Sequence, residues 1–104
     1  MEKFDQLIDI VETLLSPTGC PWDREQTFLS LRPYLIEEVY ELIEAIHLKD
    51  ASHIAEEIGD LLFHLVFLAK IAEKEKLFHL EEVVALLNEK LKRRHPHVFT
   101  DKKE

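Results

Sequence analysis

Apolar residues recur at helical spacing from the start of the chain, at Phe4, Leu7, Ile8, Val11, Leu14 and Leu15, and predict a short amphipathic helix. Ser16-Pro17 ends it, because the residue before a proline avoids the α region. The polar stretch Thr18-Gly19-Cys20-Pro21-Trp22-Asp23 then reads as a turn-rich connection, in which Trp22 is either a lid on the core or a ligand contact. A second helix is predicted from Thr27 to about Lys49, with Pro33 tolerated only as a kink or as the start of its main segment. Asp50, with Ser52 close by, predicts the cap of a third helix reaching about Lys76. A fourth spans about Leu80 to Arg94, with Leu80, Val83, Val84, Leu87 and Leu91 on one stripe, and His95-Pro96-His97 stops it. Strand-like alternation is absent. Four helices with short connections predict an all-α fold, an antiparallel four-helix bundle.

Length and charge narrow this picture. A chain of 104 residues predicts one domain over residues 1–104. Thirteen Lys and Arg against 21 Asp and Glu give a net charge of -8, which argues against a nucleic-acid polymer or an acidic membrane as partner. With only Gly19 and Gly59, no glycine-rich phosphate loop can be built. Cys20 has no second cysteine to pair with, which fits a reducing compartment. Met1-Glu2-Lys3-Phe4-Asp5 lacks the start of a signal peptide, and the apolar run Leu61 to Ala72 carries His64 and Lys70 and falls short of the roughly 20 residues that span a bilayer. A cytoplasmic protein with a frayed tail at Lys102-Lys103-Glu104 is expected. The segment Leu61 to Leu68 offers more apolar surface than three short neighbours can cover, so the bundle is expected to be completed by a homodimer.

Two acidic clusters carry the candidate chemistry: Glu37-Glu38-Val39-Tyr40-Glu41 on the second helix and Glu57-Ile58-Gly59-Asp60 on the third. Spacing of i and i+3 puts Glu38 with Glu41, and Glu57 with Asp60, about one turn apart on one face, where each pair can chelate. A solvated acidic face accounts equally well for the second helix, where Glu37, Glu38, Glu41 and Glu44 lie opposite Leu35, Val39, Leu42, Ile43 and Ile46. The third helix differs, because the line through Glu57, Asp60 and His64 continues into Phe67 and Ile71. Carboxylates on a core-facing line cost several kcal/mol unless a cation neutralises them. Oxygen ligands without cysteine favour Mg²⁺, with Mn²⁺ as substitute, and Mg²⁺ is usually completed by water and substrate phosphates.

Lys90 and Arg94 extend the apolar stripe of the last helix, so they either face the groove as phosphate contacts or snorkel to water. A ferritin-like di-iron centre needs a Glu-x-x-His on each of two helices. Glu44-Ala45-Ile46-His47 supplies one, and Asp50-Ala51-Ser52-His53 is only a near miss. His64 reads as a core histidine rather than a ligand.

These residues resemble the MazG-type nucleoside triphosphate pyrophosphohydrolases of the all-α NTP pyrophosphatase superfamily. Glu37-Glu38-x-x-Glu41 and Glu57-x-x-Asp60 match the acidic pattern, Cys20-Pro21-Trp22-Asp23-Arg24-Glu25-Gln26-Thr27 and Leu31-Arg32-Pro33-Tyr34-Leu35 match the lead-in, and Arg93-Arg94-His95-Pro96-His97-Val98-Phe99 matches the close. The resemblance implies a dimeric bundle that hydrolyses NTPs or dNTPs to the monophosphate and pyrophosphate with Mg²⁺. It implies Glu38, Glu41, Glu57 and Asp60 as metal ligands, Glu37 or Glu41 as the catalytic group that orients water or takes its proton, and Lys90 and Arg94 as phosphate contacts. Trp22 and Asp23 fall in the motif that marks this domain type and are candidate substrate contacts. The alternative is a bundle that binds nucleotide and metal without turnover, as a regulatory or interaction module.

Overall fold

The computed structural model describes residues 1–99, so the expected tail at Lys102-Lys103-Glu104 lies outside them. Local signals set the helix ends. Helix α1, Glu2–Leu15, stops where Ser16 turns extended (ψ 165°) ahead of Pro17, and Ser16 Oγ donates to the Thr13 carbonyl at 2.8 Å. The chain then folds back so tightly that a Cβ on Gly19 would collide with the carbonyl oxygens of Thr13 and Leu14. Part of the expected turn segment is instead a one-turn helix, α2, Pro21–Arg24. Pro21 presets its first φ, and Arg24 Nη1 ties it back to the Pro17 carbonyl at 2.7 Å.

Helix α3, Phe28–Leu48, starts at a reciprocal cap in which Ser30 N–H donates to Thr27 Oγ1 (3.1 Å) and Thr27 N–H to Ser30 Oγ (2.8 Å). It runs through Pro33, whose missing N–H forfeits one bond, to the Leu29 carbonyl, near the strongly capped end. Lys49 closes α3 in the left-handed region (φ 58°), and Asp50 caps α4, Ala51–Lys74, by accepting from the His53 N–H. A two-residue link forces α3 and α4 into an antiparallel hairpin, and Ala45, fully buried, occupies little room in it. Helix α5, Leu80–Arg94, begins where Leu80 N–H donates to Glu73 Oε2 of α4 at 2.9 Å. The His95-Pro96 stop ends it, and a last turn, α6, Pro96–Phe99, follows.

The core lies where α1 and the start of α3 meet the C-terminal half of α4: Val11, Leu15, Leu31, Val66, Phe67 and Ile71 are buried together. Beyond it the chain is open. Its radius of gyration is 16.8 Å, against about 13 Å for a compact domain of this size. Among the described residues α5 touches only α4 and α6, and Val83, Val84, Leu86, Leu87 and Leu91 stay exposed. The fold is all-α as expected, with α1, α3 and α4 sharing the core and α5 leaving its apolar side uncovered. In the segment Leu61 to Leu68, Val66 and Phe67 are taken up by the chain's own core, whereas Leu62 and Leu65 remain exposed. Among the described residues no helix is long and apolar enough to cross a membrane.

Candidate metal centre

The α3/α4 hairpin brings Glu38 opposite Glu57 and Asp60. One oxygen from each of these three carboxylates lies within 4.8 Å of the others. Glu57 is buried (6% exposed), Glu38 half-buried and Asp60 exposed, so the cluster opens from the helix interface to solvent. Along α4 the expected inward line holds at Glu57, Phe67 and Ile71, while Asp60 sits at its mouth.

Two atoms at this site lack what buried polar atoms need. Glu38 Oε1 and Glu57 Oε1 reach neither solvent nor a hydrogen-bond donor, a state that costs several kcal/mol unless a partner arrives. Burial, with the charges of Asp60, Glu57 and Glu41, pushes the Glu38 carboxyl above its ordinary range against a smaller opposing effect of His64. Among the described residues no Lys or Arg pairs with the cluster, and Lys70, the one lysine in an ion pair, is engaged by Glu12 and Glu73 elsewhere. A divalent cation would satisfy both orphaned oxygens and the crowded charge. A donor set made only of carboxylate oxygens fits a hard ion, Mg²⁺ or Mn²⁺.

Glu37 and Glu41 lie beside the cluster rather than within it. Both are exposed and line a shallow cavity with Ile36, Tyr40, Glu44 and His53. Glu41 is close enough to raise the Glu38 carboxyl yet outside the three-carboxylate group.

An aromatic row leads away from the other side. Trp22 on α2 meets Tyr34 edge-on (centroids 5.8 Å apart, planes at 81°), and Tyr34 stacks on His64 (6.5 Å, 20°). Tyr34 stands one turn before Glu38 and His64 one turn after Asp60, so the row borders the carboxylates. His64 Nδ1 engages the Asp60 carbonyl oxygen at 3.0 Å, which fixes its ring. Trp22 is 53% exposed and outside the core cluster, so it does not lid the core; Asp23 beside it is half-buried. Tyr34, His64 and His53 stand beside the acids although no motif in the sequence singles them out as site residues. Helical arithmetic four residues either side of Glu38 and Asp60 is the signal that finds the first two.

Lys90 and Arg94 do not reach the carboxylates within this chain. Lys90 lines an apolar groove with Leu77, Phe78, Val83, Leu86 and Leu87, and α5 makes no contact with α3 among the described residues.

A family model described as "MazG nucleotide pyrophosphohydrolase domain" matches residues 26–99. The chain is 57% identical over 98 residues to a Thermotoga maritima protein named nucleoside triphosphate pyrophosphohydrolase/pyrophosphatase MazG, covering 94% of this chain and 38% of that protein. It is 46% identical over 102 residues to the nucleoside triphosphate pyrophosphohydrolase of Escherichia coli K12, with 97% and 39% covered. A mazG-related protein from Thermotoga maritima, known from a crystal structure, superposes with a TM-score of 0.81 at 30% identity over 96% of this chain and 86% of that one. The chain thus spans 38–39% of the length of these two curated relatives.

Proposed function

This chain belongs to the MazG nucleotide pyrophosphohydrolase family, and from that premise we propose that it hydrolyses nucleoside triphosphates, ribo- or deoxyribo-, to the monophosphate and pyrophosphate with Mg²⁺. The observation that carries this reading is the pair of orphaned oxygens, Glu38 Oε1 and Glu57 Oε1, in a three-carboxylate cluster. A net charge of -8 supports it too, since a triphosphate could approach such a surface only with cations between.

In this reading Glu38, Glu57 and Asp60 hold the ion, with Glu41 completing the set from the next turn of α3. When bound, the ion supplies Lewis-acid stabilisation of phosphoryl oxygens and acidifies water. The chain's own residues do the rest. Trp22, Tyr34 and His64 offer ring faces and edges to the nucleobase beside the acids, with Asp23 at the edge of that wall, and this orients the α-phosphorus toward the carboxylates. Glu37 or Glu41, lining the cavity beside the cluster with His53 of α4, takes the proton of the attacking water. A new P–O bond forms at the α-phosphorus as the α–β bridging oxygen leaves with pyrophosphate.

A homodimer belongs to the same proposal. Leu62 and Leu65 of α4 and the exposed side of α5 need covering, and a second copy in a bundle-like assembly would do so. Lys90 and Arg94 act as phosphate contacts only in that assembly. Cytoplasmic residence follows from the nucleotide substrate and the single unpaired cysteine.

The test is product identity from a panel of ribo- and deoxyribonucleoside triphosphates with Mg²⁺, for the parent and Asp60→Asn. Monophosphate plus pyrophosphate from the parent alone supports the reading. Binding of triphosphate and metal without product overturns it in favour of a binding module.

A further inference from the structure

His53 stands one turn before Glu57 on α4, and its Nε2 lies 3.3 Å from Glu57 Oε2. The residue is anchored at the helix start, because its backbone N–H donates to Asp50 Oδ1 at 3.3 Å. Glu57 therefore has two unlike oxygens. Oε2 faces the imidazole, whereas Oε1 is buried without any partner and is the oxygen left for a cation.

We infer that His53 is a positioning residue that reserves Glu57 Oε2, makes Glu57 a one-oxygen ligand, and thereby biases the carboxylate centre toward Mg²⁺ over Ca²⁺. This rests on the metal reading above and extends it to which ion the centre selects. Mg²⁺ demands a near-octahedral shell at about 2.0–2.1 Å, whereas Ca²⁺ accepts more oxygens at longer distances and takes carboxylates through both. With hydrogen on Nε2, the imidazole occupies Oε2, and two-oxygen binding by Glu57 would have to displace it. Partners one step out from a metal ligand fix its orientation and tune affinity. The His53 side chain is 35% exposed and walls the cavity shared with Glu37, Tyr40, Glu41 and Glu44, so replacing it leaves the core intact.

The experiment is titration calorimetry of the full chain with MgCl₂ and with CaCl₂, without nucleotide, on the parent, His53→Ala and His53→Gln. Gln keeps an N–H near the position of Nε2. The alanine variant is expected to lose about tenfold or more in Mg²⁺ affinity and much less for Ca²⁺, and the glutamine variant to keep most of the parent's preference. Unchanged or tighter Mg²⁺ binding by the alanine variant overturns the inference, as does equal loss in both variants, while the metal reading stands if the parent binds Mg²⁺. A parent that binds neither ion overturns both.

Discussion

Lys70 of α4 reaches Glu12 of α1 with Nζ 2.8 Å from Oε2, and the same ammonium meets Glu73 at 3.0 Å. Glu73 in turn accepts the Leu80 N–H that begins α5, so one lysine joins three helices next to the core. Burial of Lys70 opposes its charge, but the hydrogen bonds to Glu12 and Glu73 outweigh this and hold it above its ordinary value. Burial likewise pushes Glu73 up, and the Leu80 N–H and Lys70 more than offset it, leaving Glu73 below its ordinary value of 4.5. Glu73's contribution to stability is therefore complete above pH 4.5 and lost as pH falls through its depressed folded value. Lys70's is present below 10.5 and lost as pH rises through its raised folded value. Lys70→Met, which keeps the stem, is expected to cost about 1–3 kcal/mol at neutral pH and to flatten the acid limb of the stability curve; thermal melts between pH 3 and 8 check both.

The carboxylate cluster should cost stability when empty. The Glu38 carboxyl is held above its ordinary range, so the metal-free protein loses stability as pH rises through that raised value. Under chelator at pH 7, Glu38→Gln is expected to be more stable than the parent, because the variant has no buried carboxylate to ionise. Mg²⁺ should reverse the order, stabilising the parent by about 1.4 kcal/mol at ten times Kd and 2.7 at a hundred, and the variant by less. A parent melting curve indifferent to Mg²⁺ would remove the centre from consideration.

The two glycines should respond oppositely. Gly19→Ala drives a methyl into the Thr13 and Leu14 carbonyls, and a loss of about 1–3 kcal/mol is expected, with α2 and Trp22 displaced. At Gly59 no atom lies within 4 Å of an added Cβ, so Gly59→Ala is expected to gain about 0.5–1 kcal/mol of helix propensity. Urea denaturation of both variants measures the contrast.

Trp22 is the chain's one tryptophan, so its fluorescence reports on the aromatic row. A non-hydrolysable triphosphate with Mg²⁺ is expected to change the emission, and Tyr34→Leu to weaken that binding by about five- to tenfold, the worth of one aromatic contact. Emission blind to nucleotide would place the base elsewhere.

Leu65 tests assembly, being 51% exposed on α4 while its neighbours Val66 and Phe67 are buried. The parent should sediment as a dimer at micromolar concentration, and Leu65→Glu as a folded monomer. A parent monomer with unchanged melting would remove the partner from the proposal.

Local chemistry made much of the fold legible in the sequence. Ser16-Pro17, the helix start at Thr27, the Asp50 cap and the span Leu80–Arg94 all lie at or within a residue of the observed helix ends, because capping and proline geometry act over one turn. Periodicity along a single helix also told Glu57 from a surface acid, since its line ends in the buried Phe67 and Ile71, although Asp60 on the same line is exposed. Spacing within α4 paired Glu57 with Asp60, and the family resemblance supplied Glu38 as their partner from α3.

Contacts between helices were beyond reach of the sequence, because they depend on the register set by the two-residue Lys49-Asp50 link and on which side chains that register brings face to face. Only the tertiary structure admitted Glu38 to the three-oxygen cluster while leaving Glu41 in the neighbouring cavity, and only it stacked Tyr34 on His64. The same holds for the remoteness of Lys90 and Arg94. Their stripe on α5 was plain from the spacing, but among the described residues α5 contacts α4 and α6 and makes no contact with α3, so their charge does not reach the acids within this chain, and that separation is a property of packing rather than of pattern.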